Sequence, residues 1–207
     1  MVLLVCGGLC GVGQLITNVV NQDDWEGLGQ PVPASSLPAS PKPTWLRPNI
    51  FGSGADEQIR YDLEQQVLSS AGVQKPTTSR CASQGLTADR AMTFDCTVTY
   101  AGQAVVFTVE TTPAGSSVFE WKAKAPRTVI TRDGLLAYVQ RKYGNSDPST
   151  ASWSDLRCDE FPEIALVPTD QDLPQFCYAK GEGHQKTSRI RIRPDEGGEP
   201  GLLTEDQ

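Results

Sequence analysis

The sequence predicts an α+β protein with an N-terminal transmembrane helix, a proline-rich linker and two small units, each with a helix packed on an antiparallel sheet and an internal disulfide. Three observations support this prediction. The chain begins with an uncharged apolar segment, each unit changes from helical to strand periodicity, and two cysteine pairs lie in matching contexts. The 207 residues leave roughly 140 for folded units, so each core is small and the disulfides are expected to matter.

Residues 1–22 carry no charged side chain and predict a single-pass membrane anchor. About 20 apolar residues suffice for a helix to cross the hydrocarbon core of a bilayer. The first charged residue, Asp23, begins an acidic run that suits the outer face, so the rest of the chain is expected outside the cell membrane. Two alternatives are open: a signal that is cleaved or is lipidated at Cys6 or Cys10, and a helix buried in a protein core.

Residues 23–54 are predicted to form a linker. Six prolines lie between Pro31 and Pro48, and such a segment favours an extended, polyproline-like path over a helix or a central strand. The linker would hold the folded part away from the bilayer. Trp25 suits the membrane interface, and Trp45 is expected to pack on the first unit.

The first unit is predicted over residues 55–125. Apolar residues at spacings of four indicate an amphipathic helix that ends at Gly72. The period then changes to two, which indicates antiparallel strands with one buried face. The helix is expected to lie across that face. The helix positions are Ile59, Leu63, Val67 and Ala71; the strand positions are Phe94, Cys96, Val98 and Tyr100, then Val105, Phe107 and Val109, then Phe119, Trp121 and Ala123.

The second unit is predicted over residues 126–194 and repeats this plan less regularly. A short helix would be capped by Thr131 and would end at Gly144. Strands are expected around residues 156–158, 164–167, 175–180 and 187–193. Residues 195–207 are predicted to be an acidic, disordered tail.

The cysteine contexts predict the pairing. In each unit the first cysteine follows an arginine and the second follows closely behind a phenylalanine. The four cysteines Cys81, Cys96, Cys158 and Cys177 allow three pairings, and none shows the close spacing of zinc or thioredoxin motifs. The repeat favours pairing within each unit, Cys81 with Cys96 and Cys158 with Cys177. Disulfides of this kind are typical of exported proteins.

The formal net charge of -7 argues against nucleic acid as a partner, because a grip on phosphate needs clustered Lys and Arg. One basic stretch stands out, since Arg189, Arg191 and Arg193 alternate with isoleucines in the last predicted strand. One interpretation is a sheet edge whose charges face water and discourage pairing with other strands. The other is a strip that binds an anionic ligand such as an acidic wall polymer.

The sequence offers little for catalysis, and no catalytic, cofactor or metal site is predicted. The one histidine, His184, lies in a glycine-rich stretch that predicts a solvated turn. Neither a nucleophile-elbow serine nor a phosphate-binding glycine loop is present. The acidic residues fall in two clusters whose spacing does not match an EF-hand, so they are interpreted as solvated faces. These clusters are Asp155, Asp159, Glu160 and Glu163, and Asp170 with Asp172.

The helix, the Arg-Cys that follows it, the second cysteine in a strand and the strand-glycine-strand from Phe94 to Val109 resemble an uncharacterised domain family. This family occurs in membrane-anchored and lipid-anchored exported proteins of actinobacterial type. The likeness covers residues 55–124 and, more weakly, 131–194. Where the family usually has proline after the first cysteine, this chain has Ala82. The resemblance implies an exported, anchored protein and supplies no chemistry.

A looser architectural likeness is to secreted beta-lactamase-inhibitory proteins, which also stack two helix-plus-sheet repeats with internal disulfides. The leading hypothesis is a non-catalytic, membrane-tethered extracytoplasmic module that binds a protein or a cell-wall polymer, with the membrane as a further partner through residues 1–22. Two alternatives come from other classes: an envelope hydrolase that uses the acid cluster near Asp159, and a secreted inhibitor of an extracellular enzyme. Fold alone does not decide between them.

Overall fold

The computed structural model describes residues 22–33, 41–48, 54–115, 118–144, 153–181, 187–195, 197 and 199–206. These residues form two α-helices, α1 (Ala55–Ala71) and α2 (Arg132–Val139), and a π-helical turn (Gln140–Gly144) continues α2. A 3-10 helix, Gln22–Gly27, comes first. The strands are β1 Gln30–Pro31, β2 Thr77–Cys81, β3 Met92–Tyr100, β4 Gln103–Pro113, β5 Phe119–Lys124, β6 Arg127–Thr131, β7 Trp153–Cys158, β8 Ile164–Pro168, β9 Phe176–Gly181, β10 Thr187–Pro194 and β11 Pro200–Asp206.

The strands form three antiparallel sheets. The first sheet has the order β2-β3-β4-β5, and the second has the order β1-β7-β9-β10-β11. A third, small sheet pairs β6 with β8. The predicted combination of helices with antiparallel sheets and two disulfides is confirmed, although strands far outnumber helices in the described part of the chain.

Helix α1 follows the predicted periodicity. Ile59, Leu63 and Val67 recur every four residues and are fully buried. Gly72 ends the helix in the left-handed conformation, with a φ of 69°, and its N–H donates to the carbonyl oxygen of Leu68 at 2.9 Å. The helix covers the first sheet, whose inward side chains include Cys96 and Phe107.

The predicted cysteine pairing is confirmed. Cys81 is bonded to Cys96 and Cys158 to Cys177, and the Cα atoms of each pair are 4.0 Å apart. Each pair joins directly opposed residues of neighbouring strands, β2 with β3 and β7 with β9.

The backbone around the two disulfides is also equivalent. In the first sheet the N–H of Ala82 donates to the oxygen of Asp95, and in the second the N–H of Asp159 donates to the oxygen of Phe176, both at 2.9 Å. Each cysteine pair therefore occupies a non-hydrogen-bonded position of its ladder, where opposed Cα atoms approach closely. The two disulfides therefore occupy equivalent positions in their sheets.

The two helices meet end to end at a glycine pair. The Cα of Gly134, in the first turn of α2, lies against Gly72 and Ala71 at the end of α1, and a Cβ on Gly134 would lie 2.0 Å from the oxygen of Ala71. Thr131 caps α2 as predicted, because its Oγ1 accepts from the N–H of Gly134 at 3.0 Å. The same hydroxyl donates to the oxygen of Ala71 at 2.6 Å.

The described parts of the predicted linker pack on the folded units instead of standing clear of them. The segment 22–33 lies on the second sheet: β1 pairs with β7, and Trp25 is 7% exposed in place of the membrane-interface position that was expected. The segment 41–48 lies on α1, where Trp45 Nε1 donates to the buried carboxylate of Glu64 at 2.9 Å. The packing of Trp45 on the first unit was predicted.

Two further expectations need correction. The disordered tail predicted for residues 195–207 is wrong over Pro200–Asp206, which forms β11 and pairs with β10 along its length. In consequence β10 is an inner strand and not the sheet edge that the alternating arginines suggested.

None of the helices in the described ranges is long and apolar enough to cross a membrane. The predicted anchor lies outside the described residues up to Asn21, and its last residue, Gln22, begins the 3-10 helix.

Candidate functional site: the outer face of the second sheet

The second sheet collects arginine and aromatic side chains on the face that points away from its core. Along β10, Ser188, Ile190, Ile192 and Pro194 are buried, so the arginines between them lie on the opposite, outer face. Tyr178 stands between Arg157 on β7 and Arg189 on β10 in the strand register. This surface, called the arginine face below, consists of Arg157, Phe176, Tyr178, Arg189, Arg191 and Arg193.

Arg189 stacks on an aromatic ring. Its Cζ lies 3.4 Å from the ring centroid of Phe176, which is the arrangement of a cation–π contact. Its buried Nε has no hydrogen-bond partner among the described residues. The ring of Phe176 therefore helps to orient the guanidinium, which stands half-buried on the face.

The other two arginines of the predicted strip share one carboxylate. Arg191 Nη1 lies 2.8 Å from Asp172 Oδ2, and Arg193 Nε lies 2.7 Å from Asp172 Oδ1. The hydrogen bond from Arg193 is the main cause that holds the pKa of Asp172 below its ordinary value, and Arg191 adds to it. Asp172 therefore neutralises part of the positive charge of Arg191 and Arg193.

Arg157 binds the N-terminal segment. Its Nε donates to the oxygen of Leu28 at 2.6 Å, and its Nη2 lies 3.3 Å from the oxygen of Gly29. The arginine that precedes the cysteine thus has a local role in the second unit. Its counterpart Arg80 is exposed on β2.

The acidic residues of the first cluster hold the fold together. Asp155 Oδ2 accepts from Trp25 Nε1 at 2.6 Å, and Asp159 Oδ2 accepts from the N–H of Phe176 at 2.8 Å. Burial, and next the negative charge of Asp159, raises the pKa of Tyr178. Among the described residues, no three His, Cys, Asp or Glu side chains converge as a metal site would require.

A cleft of about 390 Å³ lies beside this cluster, between β1, α2 and the residues that follow β7. Asp159, Glu160 and Arg132 line it. Asp159 is half-buried and Glu160 is exposed. The other acidic residues, Glu163 and Asp170, lie exposed at the two ends of β8.

His184, predicted as a turn residue, lies outside the described residues, as do Cys6 and Cys10. No protein-family model, curated protein or solved structure matches this chain. Any proposal about function therefore rests on the geometry of this chain alone. The resemblance to the exported domain family stays a prediction.

Sequence reasoning identified the three arginines of β10 but not the residues around them. Asp172 was assigned to a solvated acidic pair, and its contacts span 19 and 21 residues along the chain. Arg157 was noted as a mark of the repeat and not as part of a surface. Its position one residue before a cysteine that faces the core could have placed it on the outer face, since side chains alternate along a strand.

Proposed function

We propose that this chain is a non-catalytic interaction module of the cell envelope, tethered to the membrane by residues 1–22, and that it holds a protein or an anionic wall polymer with the arginine face. The main support is the composition of that face. Arginine and aromatic side chains are the residue types most enriched at the energetic centres of interfaces. Arg189 presents a guanidinium that stacks on the ring of Phe176.

The two disulfides support the extracytoplasmic part of the proposal. Disulfides persist in oxidising compartments and are rare where glutathione keeps thiols reduced. Both pairs use buried or half-buried cysteines at matched positions, as structural disulfides do. The tether itself rests on the uncharged composition of residues 1–22.

The binding test compares two arginines. The purified protein and its Arg189→Ala and Arg80→Ala variants are incubated with isolated envelope fractions, and the captured amount is measured at several salt concentrations. Both substitutions remove one positive charge from an outer sheet face, so net charge is matched. We expect Arg189→Ala to reduce capture about tenfold and Arg80→Ala to leave it within about twofold, with capture by the unaltered protein falling as salt rises.

Equal losses in the two variants would reject the arginine face as the binding surface. Unchanged capture in both would do the same. A ligand that binds as tightly at high salt as at low salt would reject the anionic polymer in favour of an apolar protein contact.

The tether is tested separately by fractionation. The full chain should remain with the membrane, while a chain that lacks residues 1–22 should not. Protease added to intact cells should degrade the folded part only if that part is outside. Protection until lysis would reject the proposed topology without bearing on the arginine face.

A further inference from the structure

The inference concerns β8, which is not part of the second sheet and pairs with β6 alone among the described strands. Every residue of β8 is half-buried, and the strand, Ile-Ala-Leu-Val-Pro, has no charged residue. Natural edge strands usually carry charges or bulges that discourage pairing with another chain. Apart from its proline, β8 carries no such protection.

The hydrogen-bond alternation shows which amides of β8 do not donate to β6. Thr169 N donates to the oxygen of Pro126 and Arg132 N to that of Glu163, both at 3.1 Å, so these opposed pairs are hydrogen-bonded. Bonded and non-bonded pairs alternate along an antiparallel ladder. In the same register Ile164 and Leu166 fall at non-bonded positions, and their N–H groups point away from β6.

Pro168 falls at another non-bonded position, where its missing N–H costs the ladder nothing. Proline in a sheet is confined to such outward positions on edge strands. The carbonyl of Leu166 accepts from the exposed Nη2 of Arg127 at 2.8 Å and keeps a second lone pair. The edge of β8 is therefore a short row of backbone groups that an extended chain could pair with.

An apolar cleft of about 230 Å³ runs beside this edge. One wall is residues 165–168 of β8, and the other is formed chiefly by Phe161, Pro162, Leu173 and Pro174. The volume is smaller than the several hundred Å³ of a typical small-molecule pocket. It suits one or two apolar side chains that enter beside a paired backbone.

We propose that β8 binds an extended peptide segment of a partner protein by strand addition, with an apolar side chain of the peptide in the cleft and basic residues at the peptide's ends. The backbone groups specify an extended chain, and the cleft specifies an apolar residue. The exposed carboxylates of Glu163 and Asp170, one at each end of β8, specify the flanking positive charges.

The same charges disfavour a second copy of this chain as the occupant. Antiparallel self-pairing about Leu166, the centre of β8, would place Glu163 of each copy opposite Thr169 of the other and next to its Asp170, and nearby like charges repel. This binding site is distinct from the arginine face, so either can fail without the other.

The probe is a phage-displayed library of random dodecapeptides selected on the purified protein. We expect selected peptides to carry alternating apolar residues flanked by Lys or Arg. In the complex, the amides of Ile164 and Leu166 should exchange with deuterium at least about tenfold more slowly when measured by NMR, because strand addition gives both a partner. This measurement uses the unaltered protein.

A variant pair provides the second test. Leu166→Pro removes the outward N–H of β8 and keeps the ladder to β6. Ala123→Pro is the matched control, because the bond from Ala114 N to Val118 O fixes the same alternation in β5, the terminal strand of the first sheet. Peptide binding should be lost in Leu166→Pro and kept in Ala123→Pro.

The proposal is overturned if the selection yields no peptide, if the bound peptides protect neither amide, or if the protein forms a dimer that protects both amides without any peptide. It is also overturned if a Leu166→Pro variant that retains both disulfides binds as well as the unaltered protein.

Discussion

The bonds Cys81–Cys96 and Cys158–Cys177 join equivalent strand pairs, yet the sheets that contain them present different outer faces. The outer face of the first sheet carries many threonines, with Arg80 as the one arginine in β2–β5. The outer face of the second sheet carries arginines and aromatic rings. The outward threonines are Thr78, Thr93, Thr97, Thr99, Thr108 and Thr112.

The two sheets are alike in the inward features that stabilise the cores and differ in their outward side chains. The inner faces, the disulfides and the helix contacts all stabilise the small cores. Outward side chains of a strand do not pack in a core, so core stability does not determine their type. Threonine satisfies strand propensity at low cost, whereas stacked arginines on an inner strand must be oriented by Phe176 and neutralised in part by Asp172. Such an arrangement has no evident structural need, which is why the arginine face is the proposed binding surface.

The sheets also differ in continuity. The first sheet is a meander in which β2, β3, β4 and β5 are neighbours in sequence order, whereas the second sheet omits β8 between β7 and β9. The omitted strand joins β6 below α1, where Ile164 and Leu166 pack against the first core. Side chains of β6 and β8 in the second unit thus contribute to the first core, and the two units share a junction at Gly72 and Gly134.

The largest predicted effect is loss of a disulfide. Replacing Cys81 and Cys96 together with Ser, or Cys158 and Cys177 together with Ser, should each lower the free energy of unfolding by about 3 kcal/mol, because loops of 15 and 19 residues lose nearly the same entropy on closure. Urea unfolding of both double variants measures this. If the two losses of unfolding free energy differ by more than about 2 kcal/mol, then the two disulfides are not equivalent.

The next effect is at the junction of the helices. Gly134→Ala should lower the free energy of unfolding by about 2 kcal/mol, because the new Cβ would meet backbone atoms of Ala71 and Gly72 that cannot move independently. Gly27→Ala is the control, since a Cβ there meets nothing within 4 Å. Thermal unfolding measures both. Equal stability of the two variants would show that the units do not depend on this contact.

A smaller effect is expected where the segment 41–48 lies on α1. Glu64 is 2% exposed and accepts hydrogen bonds from Trp45 Nε1, Thr77 Oγ1 and Ser79 Oγ. Trp45→Phe keeps an aromatic ring but removes one donor, so the free energy of unfolding should fall by about 1 kcal/mol. Arg47→Ala, which removes an exposed ion pair, should change it by less than about 0.5 kcal/mol. A larger loss of unfolding free energy in Arg47→Ala than in Trp45→Phe would contradict docking of this segment through Glu64.

The smallest effect concerns pH and compares two ion-paired carboxylates: Asp172, which pairs with arginines of the second sheet, and Glu110 of the first sheet. Arg193 and Arg191 lower the pKa of Asp172 from 3.8, and Lys122 lowers the pKa of Glu110 from 4.5. A lowered pKa in the folded state gives stability that is present above the unfolded value and is lost as the pH falls through the folded value. NMR titration should place both midpoints below their ordinary values.

Single substitutions identify the causes of these shifts. Arg193→Ala should raise the midpoint of Asp172 more than Arg191→Ala does, because the bond from Arg193 is the larger cause. Lys122→Ala should raise the midpoint of Glu110 and leave that of Asp172 unchanged. If Asp172 titrates at its ordinary value in the unaltered protein, then it does not neutralise the strip, and the arginine face carries more charge than described.

Local patterns predicted much of this fold. The four-residue spacing from Ile59 to Val67 and the alternation from Phe94 to Tyr100 are local signals, and both elements form where they were expected. The cysteine contexts predicted both bonds. The pairing of β8 with β6 was not predictable, because a short apolar run fits any buried sheet position and does not indicate its partner strand.

The errors have a common physical cause. Pro200–Asp206 has only Leu202 and Leu203 as large apolar residues and is acidic, so its composition indicates a tail, but β10 supplies a full ladder for it. Prolines near Pro31 and Pro43 indicate an exposed linker, but Trp25 and Trp45 anchor those segments through contacts with distant residues. In each case a long-range partner outweighed local composition.

The central claim is that the chain works outside the cell with two equivalent disulfide-bonded units. It is tested most directly by blocking free thiols in intact cells, isolating the natural protein and mapping its peptides without reduction. The account predicts that Cys81 is joined to Cys96 and Cys158 to Cys177 in essentially all molecules. Free thiols at these four positions would contradict the extracytoplasmic location, and bonds between the two units would contradict the equivalence of the two sheets.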